Sequence, residues 1–171
     1  MAEFKIGDRL IHPLYGVGTV VSIEKQGNDG MATDHYVIQL VRAEGRLATP
    51  VDKAEELGLR KPVAKGDRRK LSKLFAGRPR RLETNYRKRR ANIADRLTAG
   101  SFAEIGSVLR DLAWRQKNGQ ATSGDRRLLQ RAKDLLATEL AASDGTQKDE
   151  AIARIESVLE RRLSGPGDAI D

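Results

Sequence analysis

The chain has 171 residues, no cysteine, 4% aromatic residues, 33% charged residues and a formal net charge of +8. That length suits one domain of ordinary size or two small ones, and the missing cysteines exclude a disulfide scaffold, a thiolate zinc site and a cysteine nucleophile. His12 and His35 alone leave little for a histidine metal site or a triad, and no apolar run approaches the roughly 20 residues of a membrane span, so a soluble, intracellular, basic protein without metal or cofactor is expected.

The first 60 residues read as β structure. Arg9-Leu10-Ile11-His12 forms a short strand stopped by Pro13. Tyr15-Gly16-Val17-Gly18 reads as a turn whose glycines permit positive φ or close backbone approach. Thr19–Glu24 is rich in β-branched residues and makes a second strand. A loop over Gln26–Gly30 leads to a third strand near His35–Leu40. A turn at Ala43-Glu44-Gly45 leads to a fourth over Arg46–Val51, ending at Pro50. Short strands at this spacing suggest a small barrel or a strongly bent sheet.

After Pro62 the period becomes helical. Leu71, Leu74 and Phe75 mark a short helix ended by Gly77-Arg78-Pro79. Thr84 or Asn85 caps a second helix that runs to about Ala99. Ser101 caps a third, with Phe102, Ile105, Val108, Leu109 and Leu112 on one face. Thr122 or Ser123 starts a fourth, with Leu128, Leu129, Ala132, Leu135, Leu136 and Leu140 inward. Thr146 starts a fifth, with Ile152, Ile155, Val158, Leu159 and Leu163 inward. Ser164–Asp171 reads as a frayed tail. The expected organisation is α+β: a β module over 1–60, five helices over 61–163 and a tail over 164–171.

The net charge is unevenly placed. Residues 1–60 carry 7 Lys/Arg against 9 Asp/Glu, residues 61–96 carry 14 against 3, and residues 97–171 carry 11 against 12. A concentrated basic block is the footprint expected for nucleic acid, whereas a solvated, Arg-rich helix face is the bland alternative. The block culminates in Arg78-Pro79-Arg80-Arg81-Leu82-Glu83-Thr84-Asn85-Tyr86-Arg87-Lys88-Arg89-Arg90, six guanidinium groups and a lysine around a capped helix start. Arg80, Arg81, Arg87, Lys88 and Arg89 are the expected backbone contacts, aided by free amides at the helix start. Neutralising about six phosphates gives an expected log–log salt slope near −5. Tyr86 is either a stacking or wedging ring beside these cations or a half-buried seal between helices. Trp114, beside Leu112, reads as core.

Catalysis has little material. Gly16-Val17-Gly18 is only a fragment of a dinucleotide fingerprint, and no phosphate-binding GxxxxGK[ST] loop or HExxH run exists. His12 reads as a strand-end residue and His35 lacks partners. The adjacent acids Glu55-Glu56 and Asp149-Glu150 read as solvated or as helix-start charge. The expectation is a protein that is not an enzyme.

Several stretches together carry a family resemblance. Phe4-Lys5-Ile6-Gly7-Asp8, His12-Pro13-x-Tyr15-Gly16, Pro50 before an acidic stretch and Gly58-Leu59-Arg60 resemble the N-terminal module of the CarD-like bacterial transcription regulators. Thr84-Asn85-Tyr86, Leu97 and Gly100, Leu109-Arg110-Asp111-Leu112 and Gly124-Asp125-Arg126-Arg127-Leu128-Leu129 continue it in register, so it spans about residues 3–163. The resemblance implies a Tudor- or SH3-like β module that docks on the β subunit of bacterial RNA polymerase. It also implies a helical domain touching promoter DNA at the upstream edge of the bubble, where a wedge tryptophan stabilises the open complex. Tyr86 takes that wedge position here, and Lys88 and Arg89 match basic positions one turn away. Two positions often basic on the docking side fall at Gln26 and Ala48, with Arg46 on the same strand face as Ala48. Docking by strand-edge pairing does not need those side chains. The implied protein is cytoplasmic, associated with the nucleoid through polymerase, and monomeric, since no heptad seam is present. Gly7-Asp8 and Gly16-Val17-Gly18 also resemble small KOW-type barrels, which leaves an RNA- or ribosome-associated protein as the alternative.

Overall fold

The computed structural model describes residues 4–27, 32–41, 44–65 and 68–164. Most of the loop expected at Gln26–Gly30, part of the turn at Ala43-Glu44-Gly45 and the end of the tail lie outside the described residues. The chain divides into two units, Met1–Pro62 and Val63–Asp171.

The first unit contains β1 (Arg9–His12), β2 (Gly16–Gln26), β3 (Thr33–Leu40) and β4 (Arg46–Pro50), an antiparallel meander in the order β1-β2-β3-β4. β2 starts at Gly16, three residues before the β-branched run, because the Gly16–Gly18 stretch belongs to the ladder. His12 pairs with Gly16 and Leu10 with Gly18. A Cβ on Gly18 would sit 2.4 Å from Ile38 Cγ2, so that glycine serves close packing. The turn itself is Pro13–Tyr15, closed by Gly16 at φ +76°. His12 holds it: Nδ1 accepts from the backbone N–H of Leu14 at 3.1 Å and of Tyr15 at 3.4 Å.

A bulge between Val20 and Ser22 bends β2. The 51–58 turn then brings the chain back, so that Arg60 and Ile11 exchange backbone hydrogen bonds of 2.8 and 3.1 Å. That bridge occupies the outer edge of β1, while β4 pairs only with β3 among the described residues. Phe4, Leu10, Val20, Tyr36, Ile38, Ala54 and Leu59 form the core. Phe4 meets the Tyr36 ring edge-on at 5.7 Å, and its N–H donates to the Tyr36 hydroxyl. This is a Tudor/SH3-like small β barrel.

The second unit contains α1 (Arg68–Leu74), α2 (Tyr86–Ala99), α3 (Phe102–Lys117), α4 (Ser123–Asp144) and α5 (Lys148–Leu163). The helix starts follow their caps. Asn85 accepts from Arg87 N–H and Lys88 N–H, Ser101 from Glu104 N–H, and Thr122 forms a reciprocal box with Asp125. α5 begins after Gln147 rather than at Thr146. The N–H of Thr146, like that of Gly145 (φ +72°), donates to Ala141 O and closes α4. Ile105, Val108, Leu109, Leu112, Ala132, Leu136, Ala151 and Ile155 occupy the centre, and Trp114 is buried. Leu129, Leu135, Ile152, Val158 and Leu163 are only partly buried at its rim. Gly106 seats α1, since a Cβ there would overlap Leu74 at 1.9 Å. The architecture is α+β, a small barrel followed by a helical domain.

Candidate nucleic-acid interface

The stripe of α2 that faces the core consists of Arg89, Ile93 and Leu97, at i, i+4 and i+8. An arginine thus heads an otherwise apolar stripe. Arg89 is only 2% exposed. Its Nε and Nη2 donate to the two carboxylate oxygens of Asp125 at 3.0 and 3.1 Å, and Nη1 donates to the carbonyls of Glu83 at 2.7 Å and Thr84 at 3.0 Å. This corrects the expectation that Arg89 contacts a nucleic-acid backbone. Its guanidinium is consumed internally, and the signal was present in sequence as its four-residue spacing from Ile93.

Asp125 is the hub of this arrangement. Beyond Arg89 it accepts from Thr122 N–H at 2.9 Å and from Arg115 Nε at 3.3 Å. Burial raises the carboxyl pKa, but the hydrogen bonds from Arg89 and Thr122 and the Arg89 charge outweigh it and bring the value down to about 2. The pair ties the start of α2 to the start of α4 and clamps the 83–84 backbone just ahead of Tyr86.

Tyr86 is the first residue of α2 and is 56% exposed, a large ring on a rigid helix tip. Arg87 lies against it, with Nε donating to the hydroxyl at 2.9 Å and the guanidinium carbon 5.7 Å from the ring centre. Lys88 and Arg90 are exposed on the same first turns, and Arg80 and Arg81 are exposed in the preceding segment. The amides of Arg87 and Lys88 are not free, because Asn85 Oδ1 accepts both at 3.0 and 3.2 Å. What this helix start offers an anion is its side chains rather than those two amides.

Arg80 and Arg81 join residues that chain order does not suggest. Together with Leu82, Thr84, Asp111, Trp114, Arg115 and Gln120 they line a cavity of about 380 Å³. Asp111 is 1% exposed, and its Oδ1 accepts from Arg80 N–H at 3.1 Å and from Arg110 Nε and Nη2 at 3.0 and 2.7 Å. Its Oδ2 is buried and has no hydrogen-bond partner among the described residues. No sequence signal links Asp111, Trp114 and Arg115 to the basic block, which lies on other elements.

In the barrel, Arg46 and Ala48 are exposed on one face of β4, with Arg46 Nε 3.4 Å from Gln39 Oε1. Gln26 is exposed at the far end of β2. Arg46 pairs with Gln39 and Gln26 with Thr33, six residues away along β3, or about 20 Å at strand rise. The fold brings Arg46 and Ala48 together and leaves Gln26 apart from them. Among the described residues no helix is long and apolar enough to cross a membrane.

A small barrel whose β4 edge is open among the described residues, followed by a helical domain that presents an aromatic ring among exposed cations, defines a two-module protein with a basic helix tip. Residues 4–63 match the CarD-like/TRCF RID domain and residues 70–156 match the CarD C-terminal domain. The chain belongs to the CarD family, and its role is transcription-related, with a partner in the transcription machinery. It is 24% identical over 143 residues, covering 83% of this chain and 93% of the relative, to a Bacillus subtilis (strain 168) protein named "Putative transcription factor YdeB".

Proposed function

We propose that the protein is a non-enzymatic regulator that binds the β subunit of RNA polymerase through its barrel and stabilises the promoter open complex through its helical domain. The observation that carries this reading is Tyr86, a half-exposed ring on a capped helix tip flanked by Arg87, Lys88 and Arg90. Such a ring inserts at a distorted or unpaired step, while the neighbouring cations hold the backbone on either side. The docking element is the open β4 edge, where Arg46 and Ala48 mark the outward face and backbone groups are available for strand addition. Gln26 contributes at the other end of the sheet.

Open-complex lifetime on a linear promoter, measured with cognate polymerase after competitor challenge, tests the reading. The full-length protein lengthens the lifetime. Tyr86→Ala shortens it while polymerase retention stays intact, and Arg46→Glu weakens polymerase retention itself. An unchanged lifetime with wild-type protein bound to polymerase would reject the function.

A further inference from the structure

The cavity beside the helix tip combines three kinds of surface. Arg80 and Arg81 are exposed guanidinium groups, and Arg115 adds a third cation shared with Asp125. Trp114, only 9% exposed, borders the cavity with what is left of its surface outside the core. Asp111 supplies a buried carboxylate whose Oδ1 is saturated and whose Oδ2 has no partner among the described residues. Buried polar atoms are almost always paired, so a lone acceptor on a cavity-lining residue points to a ligand that donates there as the wall opens to it. The cations favour a ligand that also carries negative charge. A volume of about 380 Å³ falls in the range of small-ligand sites.

We propose that this cavity holds a single nucleotide, with its base against Trp114, an amino group of that base donating to Asp111 Oδ2, and its phosphate on Arg80 and Arg81. Thr84 and Gln120 line the walls where sugar and base edges require hydrogen-bonding groups. The lone acceptor selects among bases. Cytosine, adenine and guanine offer an exocyclic amino donor, whereas thymine offers only an N–H flanked by two carbonyls that face the carboxylate unfavourably. Thr84 lies two residues before Tyr86, so a nucleotide extruded next to the inserted ring has a receptacle on the same edge of the domain. The proposal deepens the DNA contact described above and rests on it for the source of the nucleotide, which is either an unpaired strand or the free mononucleotide.

The full chain contains one tryptophan, so the indole N–H resonance of isotope-labelled protein reports on the cavity alone. Deoxycytidine, deoxyadenosine and thymidine monophosphates, inorganic phosphate, and a short single-stranded oligonucleotide with its duplex form are titrated without polymerase. The expected result is a shift with the cytidine and adenosine nucleotides at about millimolar affinity, weaker binding of thymidine monophosphate and no shift with phosphate. An oligonucleotide that binds more tightly than its mononucleotides and its duplex identifies a melted strand as the source. A mononucleotide that binds while the oligonucleotide does not identifies a free nucleotide. Replacing both Arg80 and Arg81 by Ala, at exposed positions, weakens binding about tenfold or more. Asp111→Asn keeps the Oδ1 acceptor for Arg80 N–H but turns Oδ2 into a donor, and reverses the preference toward thymidine. An equal response to phosphate and nucleotides, an unaltered base preference in a folded Asp111→Asn protein, or no shift with any probe overturns the proposal. Polymerase retention and open-complex lifetime are separate readouts, so their failure does not imitate failure of the cavity.

Discussion

Arg89 on α2 and Asp125 on α4, 36 positions apart, form a two-pronged buried ion pair with nitrogen–oxygen distances of 3.0 and 3.1 Å. Removing one member leaves the other charged, desolvated and without its main partner, which costs about 3–5 kcal/mol. Arg89→Ala is therefore expected to lower the thermal midpoint strongly. Arg89→Lys rescues little, because an ammonium cannot reach both carboxylate oxygens and the Glu83 and Thr84 carbonyls together. Thermal unfolding followed by circular dichroism checks both; a near-neutral Arg89→Ala would show that the pair is dispensable.

The same pair sets an acid limit. The Asp125 carboxyl is held at about 2 in the folded protein against an ordinary value of 3.8, so folding favours its ionised form. The stabilisation is present in full above the unfolded value and is lost as pH falls from about 3.8 toward 2, with a size of about 2 kcal/mol. Denaturant unfolding across that window should show the loss in the wild type and a flatter profile in Asp125→Asn.

His12 gives a second pH dependence from the opposite chemistry. Burial lowers its pKa below 6.5, and Nδ1 already accepts the Leu14 and Tyr15 amides, so the folded state holds the neutral ring. As pH falls below 6.5 the unfolded chain takes up a proton that the folded chain resists, so stability declines from there down to the lowered folded value. His12→Asn is expected to remove that part of the pH dependence, as checked by unfolding titrations between neutral and mildly acidic pH.

Salt dependence separates the exposed cations from the buried one. Arg80, Arg81, Arg87, Lys88 and Arg90 are exposed and Arg89 is not. Neutralising about five phosphates gives a log–log slope near −4.5 on duplex DNA, and each exposed cation replaced by Ala reduces its magnitude by about 0.9. Binding isotherms at several salt concentrations measure this. A folded Arg89→Gln variant with an unchanged slope agrees with an internal role for Arg89, whereas a reduced slope returns it to the interface.

The exposed ring at the helix tip is expected to act without contributing to stability. Tyr86→Ala leaves the unfolding free energy within about 0.5 kcal/mol of wild type, because the ring is mostly exposed and its hydrogen bond and cation contact are with its exposed neighbour Arg87. Tyr86→Trp enlarges the stacking surface and lengthens open-complex lifetime relative to Tyr86. A large loss of stability in Tyr86→Ala would make the ring a structural seal instead.

Much of the fold was legible locally. The β-branched runs, the Ser101 cap, the Thr122 or Ser123 start and the leucine spacings on α3 and α4 act within a few residues, and those are the distances over which strand propensity, capping and helical periodicity operate. The boundaries that moved did so through contacts made elsewhere. Gly16–Gly18 joined β2 because Gly18 has to accommodate Ile38 from β3, and α5 started late because Thr146 closes α4.

The sequence alone determined that the basic excess sits in residues 61–96 and that Tyr86 heads a capped helix within that block, since charge and capping are properties of the chain itself. Tertiary structure decided which of those cations remain available. Arg89 turned inward because Asp125 arrives from α4 with a matching carboxylate, while Arg80 and Arg81 remained outside and met Asp111 and Trp114 from α3 around a cavity. Whether an arginine is spent inside or left outside depends on a partner dozens of residues away, and only helix packing brings such partners within the few ångströms over which hydrogen bonds act.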